Sequence, residues 1–414
     1  MHKETMDGFL ASVIAAESVL GCRAVIHGPG GCRTHSSRLS ARTVLRDYSI
    51  REGPFYFDHP RVPCTYIDEE DYVNGADYKV QDLVSGIDAE LVVVIQSPGT
   101  SLIGDDLNGA VYRSGYGGAF VVAENNLMSE RPHVGYDSTI ASMVGAVCAR
   151  TGTDPGVVNV VGLPVTLEGW ESTVGELRSY VEAMGLTGGA VVGAGCTVGE
   201  LRGSSRAGIT VSVLPEYCGA TMEAYRRLGS HCVVPEVPIG FQSTGSWIRT
   251  VADAAGVDPA PALEVLSGME RRSSRVLLSG MHEGMKARCS TYSVDLDTTA
   301  VAPLVEWLHS YLGMFPEAVD VKPWWDDATR GRLTSFLDSV GCPEAVDRDA
   351  SRTRVDAAFT DGYSAMLLEK RGTCSVGLDL WIPTEHRMVF VDRPVLGGRG
   401  ALRILDELFQ GIQR

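Results

Sequence analysis

Residues 91–95 read Leu-Val-Val-Val-Ile, five apolar residues with no polar one between them. A strand with one face in water alternates apolar and polar side chains. A run this uniform is expected of a parallel strand covered on both faces. It ends in the polar loop Gln96-Ser97-Pro98-Gly99, and a helix is predicted to start from residues 102–107. The same succession of strand, polar loop and helix recurs at 157–162, 190–196 and 209–214, with helical patterns at 168–184 and 221–228. After a helical region at 260–283, strands near 288–294, 318–321, 357–359 and 376–381 alternate with helices near 301–312, 329–340 and 401–408. That alternation is the signature of an α/β chain of doubly wound parallel sheets. At 414 residues the chain exceeds one ordinary core. The expected units are 1–150, 151–265 and 266–414.

The stretch with the clearest chemical content lies near the start. A short apolar run, 24–26, breaks at His27-Gly28-Pro29-Gly30-Gly31, so a strand is predicted to end in a glycine loop with Cys32 at its tip. Gly30 and Gly31 let backbone approach a bulky ligand and can turn N–H groups toward it. A thiol there also sits where open α/β sheets bind ligands, although one cysteine alone makes no metal site. Before the loop, Asp7 is expected to cap a helix reaching about Leu20, with Phe9, Leu10, Val13, Ile14 and Val19 as its apolar side. After it, a polar, arginine-rich segment (33–51) leads to Pro60-Arg61-Val62-Pro63-Cys64, whose two prolines stiffen the approach to a second thiol.

Charge and composition narrow the partners. With 36 basic and 52 acidic residues the formal charge is −16, the opposite of a nucleic-acid footprint. Ten scattered cysteines read as reduced thiols or metal ligands. No apolar run reaches membrane-spanning length and no cleavage pattern opens the chain, so no membrane partner and a cytoplasmic location are expected.

His27-Gly-Pro-Gly-Gly-Cys32, Leu102-Ile-Gly-Asp-Asp-Leu107, Asn159-Val-Val-Gly162, the Gly195–Leu201 turn, Pro238-Ile-Gly-Phe-Gln-Ser-Thr244 and Pro394-Val-Leu-Gly-Gly-Arg-Gly400 follow one another over nearly the whole chain. Together they resemble the landmarks of the nitrogenase component 1 family. That resemblance implies three Rossmann-like parallel-sheet subdomains around a central cleft and an iron–sulfur cluster, [4Fe–4S] or of the larger P-cluster kind. It implies an ATP-dependent iron–sulfur reductase as electron donor, consistent with the lack of a phosphate-binding Gly-x-x-x-x-Gly-Lys motif here. It further implies a homodimer or a heterotetramer with a paralogous chain, and leaves room for a second metallocofactor in the cleft or on that paralogue.

The resemblance also marks departures. Of three cluster cysteines expected from the family, Cys32 matches, while the other two positions fall near Met6 and at Pro98. Cys64 is the candidate replacement ligand, with Ser97 as a hydroxyl beside the cluster and Cys22 as the next choice. The cysteine and histidine that hold the nitrogenase cofactor fall near Val213 and His386. Cys218 lies several residues off, and Cys196 is expected at a strand end facing the cleft. Dinitrogen reduction by this chain alone is therefore not expected. The reading is a subunit of a nitrogenase-like reductase acting on another small substrate, such as an alkyl thioether. The alternatives are a tetrapyrrole reductase subunit, whose family members usually keep a Thr-Cys where this chain has Ser97-Pro98, and a scaffold for metallocluster assembly.

Overall fold

A computed structural model describes residues 6–43, 62–282, 288–382 and 389–412. It contains three separate sheets with every strand pair parallel. The first has the order β1 (Cys22–His27), β2 (Leu91–Gln96), β3 (Ala119–Ala123). The second joins β4 (Asp154–Val161), β5 (Thr187–Val191), β6 (Ala207–Ser212) and β7 (His231–Val233) in the order β5-β4-β6-β7. The third joins β8 (Thr291–Val294), β9 (Phe315–Val319), β10 (Val355–Thr360) and β11 (Cys374–Asp379) in the order β11-β10-β8-β9. Parallel strands cannot be joined by a tight hairpin, and here helices make the crossovers. The uniform run in β2 lies centrally, hydrogen-bonded on both edges and buried along its whole length.

Two strands carry no strong sequence signal. β3 is only partly buried, and β7 has three residues at an edge. The run at 190–196 divides: β5 stops at Val191, and Gly193 and Gly195, with φ of +79° each, turn the chain. Cys196 therefore does not line the cleft as expected. Its carbonyl accepts from Leu20 N–H at 2.8 Å, and its side chain is buried against the end of the first helix.

That helix, α1 (Gly8–Glu17), is capped by Asp7, which accepts from Leu10 N–H at 2.9 Å. It is shorter than predicted, and all ten of its residues are buried rather than one side. The reason is its place between the first sheet and the helix Pro132–Val147. A Cβ on Gly135 would lie 2.1 Å from the Gly8 carbonyl oxygen, so the two helices pack backbone to backbone. Asp137, on the second of these helices, accepts from Ala220 N–H at 2.7 Å and from Thr221 N–H and hydroxyl at 2.9 and 2.7 Å. It thereby caps Gly219–Leu228 and joins the first and second sheets' helices.

The carboxyl-terminal helix, Gly397–Ile412, crosses back to the second sheet's layer. Gly397 N–H donates to the Pro238 carbonyl at 2.7 Å, and Arg399 N–H to the buried Glu176 carboxylate at 3.1 Å. The three sheets meet at a cavity of about 310 Å³ lined by Met6 and Pro132, by Tyr217 just beyond β6, and by Asp295, Lys322 and Trp381 beyond the strands of the third sheet. The carboxyl ends of parallel strands are where such folds bind ligands.

Candidate cluster site at the end of the first sheet

The glycine loop is shorter than the sequence suggests. β1 ends at His27, and α2 (Gly30–Thr43) starts two glycines before Cys32, which therefore lies in a helix's first turn, not at a loop tip. The segment predicted as merely polar continues this helix to Thr43. Hydroxyls suit it because Ser36 and Thr43 donate to the carbonyls of Cys32 and Leu39, four residues back, at 2.8 and 3.0 Å. Ser36, Ser37 and Ser40 are buried, so small polar side chains face inward where the sequence lacks an apolar stripe. The first-turn N–H groups of such a helix favour negative charge.

The second thiol reaches the same place by strand pairing. Ile26 N–H donates to the Pro63 carbonyl at 2.8 Å, Thr65 N–H to the Ile26 carbonyl at 3.0 Å and Ile67 N–H to the Gly28 carbonyl at 3.1 Å. Residues 63–67 thus run parallel along the free edge of β1 and carry Cys64 to the glycine turn. Its Sγ donates to the Gly28 carbonyl at 3.2 Å. Cys32 has the Cys64 thiol and the Ser97 hydroxyl as neighbours: burial, then the Cys64 thiol, raise its pKa, and a hydrogen bond with Ser97 lowers it. Burial pushes the Cys64 thiol up to about 11, opposed by the Arg33 guanidinium. Both are therefore protonated at neutral pH, and any metal must displace their protons.

The glycines keep this arrangement open. A Cβ on Gly28 would sit 2.7 Å from Ser97 Oγ and one on Gly30 3.1 Å from the Tyr66 ring, whereas one on Gly31 would meet nothing within 4 Å. Gly31 therefore borders free space beside Cys32. Tyr66, half exposed, adopts a left-handed φ of +52° and lies 5.2 Å below the Arg33 guanidinium. Neither residue carried a sequence signal beyond adjacency to the two cysteines.

The other candidates lie elsewhere. Cys22 begins β1, six residues from its glycine end, and burial holds its thiol far above the usual range. Cys218 is buried in the second unit, its Sγ 2.8 Å from where a Cβ on Gly162 would be. His386 is outside the described residues. Met6 lines the central cavity and offers no thiolate, and Pro98 opens a short 3₁₀ turn. Among the described residues no set of three or more His, Cys, Asp or Glu side chains is arranged to hold a metal ion. This chain's donor set is thus two thiols and a hydroxyl.

The family model of nitrogenase component 1 type oxidoreductases matches residues 8–413. The chain belongs to this family of oxidoreductases. The family binds iron–sulfur clusters. By sequence, the chain is 23% identical over its full length to one of the two kinds of light-independent protochlorophyllide reductase chain, that of Heliobacterium modesticaldum, and covers 78% of that protein. It is 24% identical over 58% of its length to the other kind of chain of this enzyme, from Rhodopseudomonas palustris, and covers 56% of that protein. In architecture it is similar to nitrogenase Cp1, with a TM-score of 0.77, 15% identity and coverage of 100% of this chain and 94% of the other for the structure at pH 6.5. At pH 5 the TM-score is 0.68 at 13% identity, over 98% and 88%. Among the described residues no helix is long and apolar enough to cross a membrane.

Proposed function

We propose that this chain is the electron-accepting subunit of a two-component, nitrogenase-like reductase. It would hold an iron–sulfur cluster through Cys32 and Cys64, together with the corresponding residues of a second chain. The observation that carries this reading is the convergence of Cys32, Cys64 and Ser97 beside the open space at Gly31. Such a cluster, when bound, supplies low-potential one-electron storage, normally through four thiolates. Two copies of this site across a two-fold axis provide four, so thiols at Met6 and Pro98 are not needed. Exposed Tyr66, Val73 and Leu102 near the site, with Val73 at 84% and Leu102 at 70%, suit a surface covered by another chain. That chain is a second copy or a paralogue, and the electron donor is an ATP-dependent iron–sulfur protein.

The chamber for reduction is the central cavity. Tyr217 and Trp381, with ring centroids 6.1 Å apart, form part of its wall. Lys322 is held by Asp295 at 2.7 Å and Asp320 at 2.6 Å, and Asp297 accepts from Trp324 Nε1 at 2.8 Å. Its 310 Å³ is at the lower end of ligand-pocket sizes, which favours a small substrate. The second reading, a tetrapyrrole reductase subunit, is favoured by the names of the relatives. Anaerobic turnover with reductant, ATP and the iron–sulfur ATPase tests both: reduction of an alkyl thioether supports the first reading, and reduction of a tetrapyrrole the second. A protein that holds iron and turns over neither is a cluster-assembly scaffold.

A further inference from the structure

His27 is fully buried at the end of β1, and its ring and carbonyl bond to every segment that surrounds the two thiols. Its Nε2 lies 2.9 Å from Asp105 Oδ2, with the two side chains 0% and 4% exposed. The other Asp105 oxygen accepts from Ala76 N–H at 2.9 Å. A carboxylate only accepts, so Nε2 carries the proton and Nδ1 is left as an acceptor. The Thr65 hydroxyl faces Nδ1 at 3.4 Å and accepts from Gly28 N–H at 3.0 Å. On the backbone side, the His27 carbonyl accepts from the Thr100 hydroxyl and from Ser97 N–H, both at 2.9 Å. One residue thus ties together the neighbour of Cys64, the glycine turn before Cys32, and Ser97. Asp105, 78 positions along the chain, fixes that residue's ring.

We propose that the His27–Asp105 pair is the positioning element of the thiol site: it fixes the ring tautomer and, through Thr65, Gly28 and Ser97, keeps Cys32 and Cys64 beside each other. This rests on the reading of the site as a cluster site. Groups behind metal ligands that orient them in this way are typically worth about 10- to 100-fold in metal affinity.

The test compares His27→Leu, His27→Gln and Asp105→Asn in the full chain. Asp105→Asn keeps the side chain's size but turns an amide toward Nε2, so the favoured tautomer inverts, and it carries the test if His27→Leu does not fold. Two readouts are taken with the thermal midpoint. The first is iron release from the anaerobically purified protein to a chelator, with the spectrum of the reduced cluster. The second is Cd²⁺ binding by the iron-free protein. Iron release faster by about 10-fold or more in Asp105→Asn and His27→Leu, with partial rescue in His27→Gln, supports the proposal. Unchanged iron release, spectrum and Cd²⁺ affinity overturn it. If the native chain holds no iron but Cd²⁺ affinity falls in the same order among the variants, the cluster reading fails and the positioning role stands. If the native chain holds iron and the variants hold it as firmly, the positioning role fails and the cluster reading stands.

Discussion

Replacing Cys64 by serine separates a thiol that holds a cluster from one that merely fills a core. The side chain is 4% exposed and its Sγ donates to the Gly28 carbonyl at 3.2 Å. A serine hydroxyl can make the same donation from the same backbone. Burying a hydroxyl costs about 1–3 kcal/mol without a partner, and one hydrogen bond returns about 1 kcal/mol. The net loss is therefore about 1 kcal/mol, or a fall of about 2–4 °C in Tm for a cooperative unit of 150–250 residues. The effect on iron is of another order. Two chains with Cys32 and Cys64 supply four thiolates, and the variant leaves two, so bound iron should fall at least about 10-fold. Anaerobic purification, iron and sulfide analysis, visible absorbance and a thermal scan on one sample read both effects. A variant with the small drop in Tm and its full iron would refute the assignment of Cys64.

Gly28→Ala places a Cβ 2.7 Å from Ser97 Oγ, so it should displace the hydroxyl from Cys32 and speed iron loss while costing about 1–3 kcal/mol of stability, read by chelator challenge and urea unfolding. Because both thiols are raised by burial, loading the iron-free protein with Cd²⁺ should release protons and tighten by up to about 100-fold per pH unit near neutrality; a pH-independent affinity would show the thiols already ionised. The sign for stability is the reverse: Cys64, raised from 9.0 to about 11, favours the folded iron-free chain below pH 9, and that contribution disappears as pH climbs toward 11, measurable as a falling urea midpoint. Asp137→Ala leaves two N–H groups and a hydroxyl at the start of Gly219–Leu228 without their acceptor and should cost about 2–4 kcal/mol in urea unfolding, whereas Asp137→Asn should cost under about 1 kcal/mol.

The parallel strands were legible wherever burial on both faces leaves an unbroken apolar run, as in β2, β4 and β6. β3 and β7 were not, since an exposed or three-residue edge strand leaves too short a pattern. α1 showed as a helix, but its complete burial depends on the glycine contact with Gly135, which no local periodicity encodes. α2 was hidden because its buried face is built of serines. At the site, Cys32 and Cys64 were readable as a glycine-turn thiol and a proline-stiffened one. Their meeting is tertiary: it requires residues 63–67 to pair along β1. His27 appeared in the motif without a role, because its partner Asp105 stands 78 residues away.

The central claim is that two copies of the Cys32–Cys64 site, or one copy and a paralogous site, enclose an iron–sulfur cluster. The most direct measurement is iron and acid-labile sulfide per mole of chain in the anaerobically purified protein, alongside its oligomeric mass, for the native chain and Cys32→Ala. A homodimer is predicted to carry about four irons per two chains, lost in Cys32→Ala with the dimer's fold intact. A native protein with no iron, or a Cys32→Ala variant with its iron undiminished, would contradict the account.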